Sequence, residues 1–383
     1  MDADQKGLIA LLKSAVTGEK EALPPDFAPE AAAAMAAKQG VLCLMYQGAV
    51  TCGVRWDGNL MSKLRQAGYR SLLRSEGQMA ALEKLFREFD ARGIDYLPLK
   101  GCVLKPLYPR ADLRPMGDAD LLIRPAQFEA AAAVMASLGY TRKVESDHTD
   151  NWTCPELYVE LHRCPVPAAD REYYRYYGDG WHLAVHTDAH RFELSAEDHF
   201  LFLLTHFARH YRDSGIGCRH VLDLYVYLRA FPGLDEAYVV TEAEKLGLSA
   251  FYTNVRRLLR VWFEGETPDA VTELMTAFVF SGGAWGTLEA GMYAQALQSA
   301  GKPKNPWLQT LFPSLRTMQN RYDLLRKWSM LLPVMYVVRW FDVLLFSREN
   351  VGKKFGILHN MDQNHLSDRK KALEAVGIYR ETE

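Results

Sequence analysis

Asp118 and Asp120 stand two residues apart in the run MGDADLLI. On a strand, residues two apart project from the same face. Two carboxylates held there raise each other's pKa unless a cation lies between them. A divalent ion that takes oxygen ligands, Mg2+ or Mn2+, is the natural occupant. An Asp-x-Asp pair is common by itself, so the weight of this reading rests on its neighbours. Lys100-Gly101 ends the run IDYLPL and opens a helical turn, where backbone N–H groups and a bare glycine can receive a phosphate. Arg114, four residues before Asp118, can clamp a phosphate oxygen. Glu160, in YVELH, can bring a third carboxylate to the same side. His162 follows it by two and shares its face, where it either orients a ligand, takes a proton or simply packs. Three acids, a glycine turn and a basic residue are the parts needed for metal-assisted transfer of a nucleotidyl group.

The elements that must position these groups show in the changing periodicity of the chain. Gln5–Val16, Pro29–Lys38 (closed by Gly40) and a long stretch over 59–91 (stopped by Gly93) carry helical apolar stripes. The texture then changes. Ile94–Leu99, Asp118–Ile123 and Tyr158–His162 read as short apolar or strand runs, with a helix over Pro125–Leu138 ended by Gly139. Strands alternating with helices indicate a small sheet. Pro165–Gly180 is polar and rich in Pro, Gly and Tyr, and reads as a linker. From Ser195, a plausible N-cap with Asp198 three residues on, the pattern is helical to the end. The expectation is an α+β protein: a helical segment over 1–57, an α/β core over 58–194 and a large helical region over 195–383.

Lys plus Arg number 45 and Asp plus Glu 47, a net charge of −2, so nothing global attracts a polyanion and nucleic acid is not the expected partner. Six cysteines without a C-x-x-C pair fit a reduced compartment, and the polar start MDADQKG is no secretory signal. A cytoplasmic location is expected. Ser329–Phe346 is strongly apolar, yet Arg339 and Asp342 would each be costly at a bilayer centre. It reads as a buried or amphipathic helix, and no transmembrane segment is expected.

The ordered motifs resemble the uncharacterised bacterial nucleotidyltransferase family of the polymerase-β-like superfamily. They are Leu99-Lys100-Gly101, Tyr108-Pro109, Arg114, Asp118, Asp120-Leu121-Leu122, Gly139-Tyr140 and Val159-Glu160-Leu161-His162, followed by the helical segment His206–Leu228. The resemblance implies a nucleotidyltransferase-type mixed sheet. It also implies Asp118 and Asp120 as the first two metal ligands and Glu160 as the third carboxylate, acting as ligand or general base. Lys100-Gly101 takes the place of the superfamily's Gly-Ser or Gly-Gly turn, which is a departure, because the serine that touches a phosphate is missing. Implied with these are Mg2+ (or Mn2+), an NTP co-substrate with ATP the expected one, and an acceptor hydroxyl. The alternative is a catalytically degenerate relative that binds nucleotide or a partner protein.

His199, His206 and His210 share one face of a helix, and His220 and Asp223 open the next. His206 and His210 can line the cleft, bind zinc with Asp223 as in a metal phosphohydrolase, or pack within the bundle. Arg219 reads as an ion-pair residue with a phosphate contact open. Tyr173, Tyr174, Tyr176 and Tyr177 are either a stacking surface or, more commonly, packing.

Overall fold

The computed structural model describes residues 1–145, 148–283, 291–292, 312–313, 315, 318, 322, 324–346 and 363–379. Helix α1 (Ala3–Thr17) begins at Asp2, whose carboxylate accepts from the Gln5 amide while the Gln5 side chain accepts from the Asp2 N–H. This reciprocal cap satisfies two of the free donors of a helix start. Helices α2 (Pro29–Lys38), α3 (Leu42–Cys52) and α4 (Gly58–Ala91) follow. The 34 residues of α4 make it about 51 Å long.

Strand β1 (Tyr96–Leu99) leads into the four-residue helix α5 (Gly101–Leu104), and β2 (Ala119–Ile123) into α6 (Phe128–Ser137). Next come β3 (Thr141–Glu145), β4 (Thr149–Thr153), β5 (Tyr158–His162), α7 (Arg171–Tyr177), β6 (Ala184–Asp188) and β7 (Arg191–Leu194). Seven strands form one mixed sheet in the order β3-β4-β5-β2-β1-β7-β6. The two parallel pairings are β2 with β5 and β1 with β7.

Period-two alternation divides β2 and β5 between two faces. Ala119, Leu121 and Ile123 of β2, with Val159 and Leu161 of β5, are all at most 1% exposed and join one core with Leu82, Leu85 and Phe89 of α4 and with the apolar side of α6. The residues between them, Asp120, Glu160 and His162, therefore face the other side. Register is fixed by this burial, since a slip of one residue would turn the carboxylates into the core.

The segment read as a linker holds α7, whose Tyr173 and Tyr177, four apart, are buried. Tyr177 Oη lies 2.9 Å from Thr205 Oγ1, and Tyr176 donates to Glu242 at 2.8 Å. These tyrosines are packing residues. Strands β3, β4, β6 and β7 also went unread, because they are polar or half exposed and show little alternation.

Helices α8 (Ala196–Asp213), α9 (Cys218–Ala230), α10 (Glu236–Lys245), α11 (Ser249–Phe263) and α12 (Ala270–Ser281) complete the well-described part. Ser195 caps α8 as its position suggested, accepting from the Asp198 amide at 3.0 Å. By their contacts, residues 1–208 and 216–285 form one compact unit, and residues 209–215 and 286–383 a second. Gln39, from the N-terminal helices, donates to the Val279 carbonyl and accepts from the Cys218 amide, so the first unit spans the composition changes near 57 and 194. In the second unit, Arg369 donates to the Tyr211 carbonyl. Its helix Leu332–Phe346 follows the short turn Ser329–Leu331, and no helix among the described residues is long and apolar enough to cross a membrane.

Candidate metal and nucleotide site

The parallel pairing of β2 with β5 sets Asp120 opposite Glu160 and Leu122 opposite His162. Antiparallel pairing of β1 sets Leu99 opposite Asp120, which brings Lys100 alongside. Lys100 Nζ lies 2.6 Å from Asp120 Oδ1, and His162 Nε2 lies 2.9 Å from the same oxygen. His162 Nε2 is also 3.5 Å from Glu160 Oε2. A carboxylate can only accept here, so His162 carries its proton on Nε2 and leaves Nδ1 buried without a hydrogen-bond partner.

These charges set one another's protonation. Burial works against the Asp120 carboxylate, but Lys100 and His162 outweigh it and hold its pKa well below the usual range. Burial likewise opposes the Lys100 ammonium and the His162 imidazolium. Asp120 overrides it in both, with further help from Asp118 for Lys100 and from Glu160 for His162, and both pKa values rise. Asp118 goes the other way. Burial first, and then the Asp120 charge, push its carboxyl up to about 6.

Ligand atoms of Asp120, Glu160 and His162 all lie within 4.8 Å of one another, the converging group of this kind among the described residues. Asp118 stands outside that set, at the mouth of β2, and couples to it through charge. The donor chemistry fits a hard divalent ion: carboxylate oxygens suit Mg2+ and Mn2+, whereas imidazole belongs to later transition metals. His162 is thus better placed to orient the two carboxylates than to ligate.

Lys100 occupies φ 43°, ψ −111°, a backbone conformation that suits glycine and costs other residues on the order of 1–3 kcal/mol. Gly101, beside it, is needed for close approach, since a Cβ there would lie 2.8 Å from Arg114 Nη1 and 3.0 Å from Met116.

Arg114 sits behind this turn. Its Nε and Nη2 each donate to Asp223 at 3.0 Å, and Tyr108 Oη donates to the same carboxylate at 2.8 Å. Both members of the ion pair are buried, which leaves Nη1, beside Gly101, as the part of Arg114 nearest the turn. Burial disfavours the Asp223 carboxylate, but Arg114 and Arg219 lower its pKa. Arg219 donates to the Pro115 carbonyl at 2.7 Å, and buried Lys105 to the Arg114 carbonyl at 3.0 Å. Ser71 and Gln78 of α4 donate to the carbonyls of Asp112 and Met116. The loop that delivers Asp118 and Asp120 is therefore fastened from α4 and α9. Sequence reasoning gave Arg219 as an ion-pair residue with a phosphate contact open and Asp223 as a candidate partner of His206 and His210, and missed Lys105, for which the sequence carries no signal.

His148 meets His162 edge to face with ring centroids 6.4 Å apart, whereas the histidines of α8 and α9 do not join this group. His206 stacks on His220 with ring centroids 5.9 Å apart, and His210 Nδ1 lies 3.0 Å from Ser214 Oγ. His199 is buried against Phe202 and Tyr227, and burial pushes its pKa down to about 4.

Carboxylates in register on adjacent strands, with a glycine turn at their ends, are the parts of a group-transfer site for phosphorylated substrates. Residues 25–264 match the model of a family described as uncharacterised nucleotidyltransferase. The match covers more than half of the chain, and the protein belongs to that family. No curated protein and no solved structure matches it.

Proposed function

We propose that the protein transfers a nucleoside monophosphate from an NTP, with ATP the first choice, to a hydroxyl of a small acceptor, and that Asp118, Asp120 and Glu160 hold Mg2+ or Mn2+ for the reaction. The observation that carries this reading is the in-register placement of Asp120 and Glu160 next to the Lys100-Gly101 turn, in a chain of this family. A bound divalent ion would neutralise the triphosphate and lower the pKa of the attacking hydroxyl. Asp120 is fixed by His162, whose Nε2 lies between Asp120 Oδ1 and Glu160 Oε2. Glu160, its side chain 24% exposed, would act as ligand or as the base that takes the acceptor's proton. The Lys100-Gly101 turn would meet the phosphates, with Arg114 Nη1 packed against Gly101. In-line transfer relies on positioning and charge neutralisation, which is why so few side chains suffice.

Thermal unfolding of the wild type and of Asp118→Asn/Asp120→Asn, with each of ATP, GTP, CTP and UTP and with or without Mg2+ or Mn2+, tests the site. A nucleotide at a hundred times its dissociation constant stabilises the fold by about 2.7 kcal/mol. The expected result is a metal-dependent shift with one NTP that the double variant loses, together with a loss of pyrophosphate release of at least about 10³-fold. Undiminished release from the folded double variant would sink the proposal. Nucleotide binding without turnover is the second reading, favoured by the ammonium already seated on Asp120, and its mark is a metal-independent shift with no pyrophosphate.

A further inference from the structure

We propose that the Lys100 ammonium is the resident counter-ion of the acidic site. It occupies the Asp120 oxygen that a divalent ion would take, and it moves to the nucleotide phosphates when that ion enters. The inference rests on the metal-dependent reading above and adds a positioning residue to it.

Two donors already fill Asp120 Oδ1, Lys100 Nζ at 2.6 Å and His162 Nε2 at 2.9 Å. A carboxylate oxygen offers two lone pairs, so no third partner fits there without displacing one. His162 is enclosed, with its side chain 6% exposed, and it lies on β5 in register with the strand it contacts. Lys100 is the freer of the two. Its side chain is 19% exposed, it ends a flexible four-carbon stem, and among the described residues Asp120 is its hydrogen-bond partner. The backbone gives the second argument. Lys100 holds the left-handed conformation that glycine adopts without strain, at the residue preceding Gly101, which Arg114 and Met116 approach closely. Strain kept at such a point needs a side chain whose work only that point allows.

Charge arithmetic supplies the direction of movement. Lys100 and His162 lie against Asp120 and Glu160, and Arg219 acts on Asp118 from farther off, so the three acids outnumber the cations in contact with them. A divalent ion reverses that surplus and leaves the ammonium without need of Asp120. The triphosphate then brings the negative charge that the ammonium lacks, and Lys100 stands next to the turn where it would bind. Metal and nucleotide binding are coupled as a result. Metal alone must expel Lys100, whereas metal with nucleotide gives Lys100 a new partner, and linkage makes each tighten the other.

The test is Mn2+ binding to the full chain, followed by the electron spin resonance of free Mn2+, with and without α,β-methylene ATP, which cannot release pyrophosphate. Lys100→Met removes the competitor, and should bind Mn2+ alone about 10-fold tighter than the wild type, within the usual range of coupling between sites. The gain on adding the nucleotide analogue should shrink by the same factor. Lys100→Gly removes the ammonium while accepting the backbone without strain, and should match Lys100→Met even if that variant folds poorly. Lys100→Arg keeps a cation and should return Mn2+ affinity toward wild type. Asp120→Asn should abolish binding throughout. Mn2+ affinity that depends on Asp120 but is equal or weaker in both Lys100→Met and Lys100→Gly would overturn the inference and leave the metal reading standing. Mn2+ binding that is absent from every variant, or indifferent to Asp120→Asn, would overturn both.

Discussion

Two buried charge clusters flank the Lys100-Gly101 turn, and they are built to opposite ends. Around Arg114 every strong group is answered: its guanidinium grips Asp223 with two bonds, Tyr108 adds a third, and Arg219 and Lys105 close onto backbone carbonyls. Positive charge is in excess there, and burial followed by Arg114 pushes Lys105 down to about 8. Around Asp120 negative charge is in excess, and the strain at Lys100 and the raised Asp118 are its signs. A cluster that is satisfied internally fixes geometry. One that is not satisfied has free energy to give to a ligand.

This contrast can be broken experimentally. Asp223→Asn should have the largest effect on stability, a loss of about 3–5 kcal/mol in urea unfolding, because it strands Arg114 in the interior. Arg114→Met/Asp223→Leu should recover most of that stability while pyrophosphate release stays impaired, since the loop loses its anchor. If the double variant were as unstable as the single one, the pair would be a net stabiliser rather than a fastener.

The acidic cluster should behave in the reverse manner. The Asp118 carboxyl titrates at about 6 in the fold against about 3.8 in the unfolded chain, so the folded state binds more protons between those values. Stability is therefore full below about pH 4 and is lost as pH rises through 6. Asp118→Asn should stabilise the metal-free protein by about 2 kcal/mol at pH 7 and by little at pH 4. An equal gain at both pH values would assign the effect to packing instead of charge. The smallest effect belongs to neither cluster. Ser195→Ala removes the cap of α8 and should cost about 1 kcal/mol, with nucleotide-dependent stabilisation unchanged.

The acidic cluster was largely legible in the sequence, and the Arg114 cluster was not. Asp118, Asp120, Glu160 and His162 sit at spacings of two on apolar strands, and that local pattern survives without any knowledge of the fold. What joins them, the β2–β5 register, follows once the two strands are placed side by side. Arg114 and Asp223 are separated by 109 residues and pair through tertiary contact alone, so neither spacing nor composition signals the bond. Arg114 read as a phosphate clamp because its partner was invisible. The polar strands at the two edges of the sheet failed for a different reason. Val185 is 55% exposed, and most of β6 faces solvent with it, so no alternation of burial is written into AVHTD. In α7 the apolar spacing was present as Tyr173 and Tyr177, masked by surrounding Pro and Gly.

The distance along the chain between Arg114 and Asp223 also has a consequence for synthesis. At about 5–20 residues per second, the ribosome delivers Asp223 roughly 5 to 20 s after Arg114. Through that interval the loop ahead of β2 holds a guanidinium with no counter-charge, and the strand pair beside it cannot settle. The two acids at its end are made early, with the α4 bonds to their loop available, yet the anchor from α9 comes last. Nascent chains that stop short of α9 would carry Asp118, Asp120 and Glu160 without the Asp223 anchor of the loop that leads into β2.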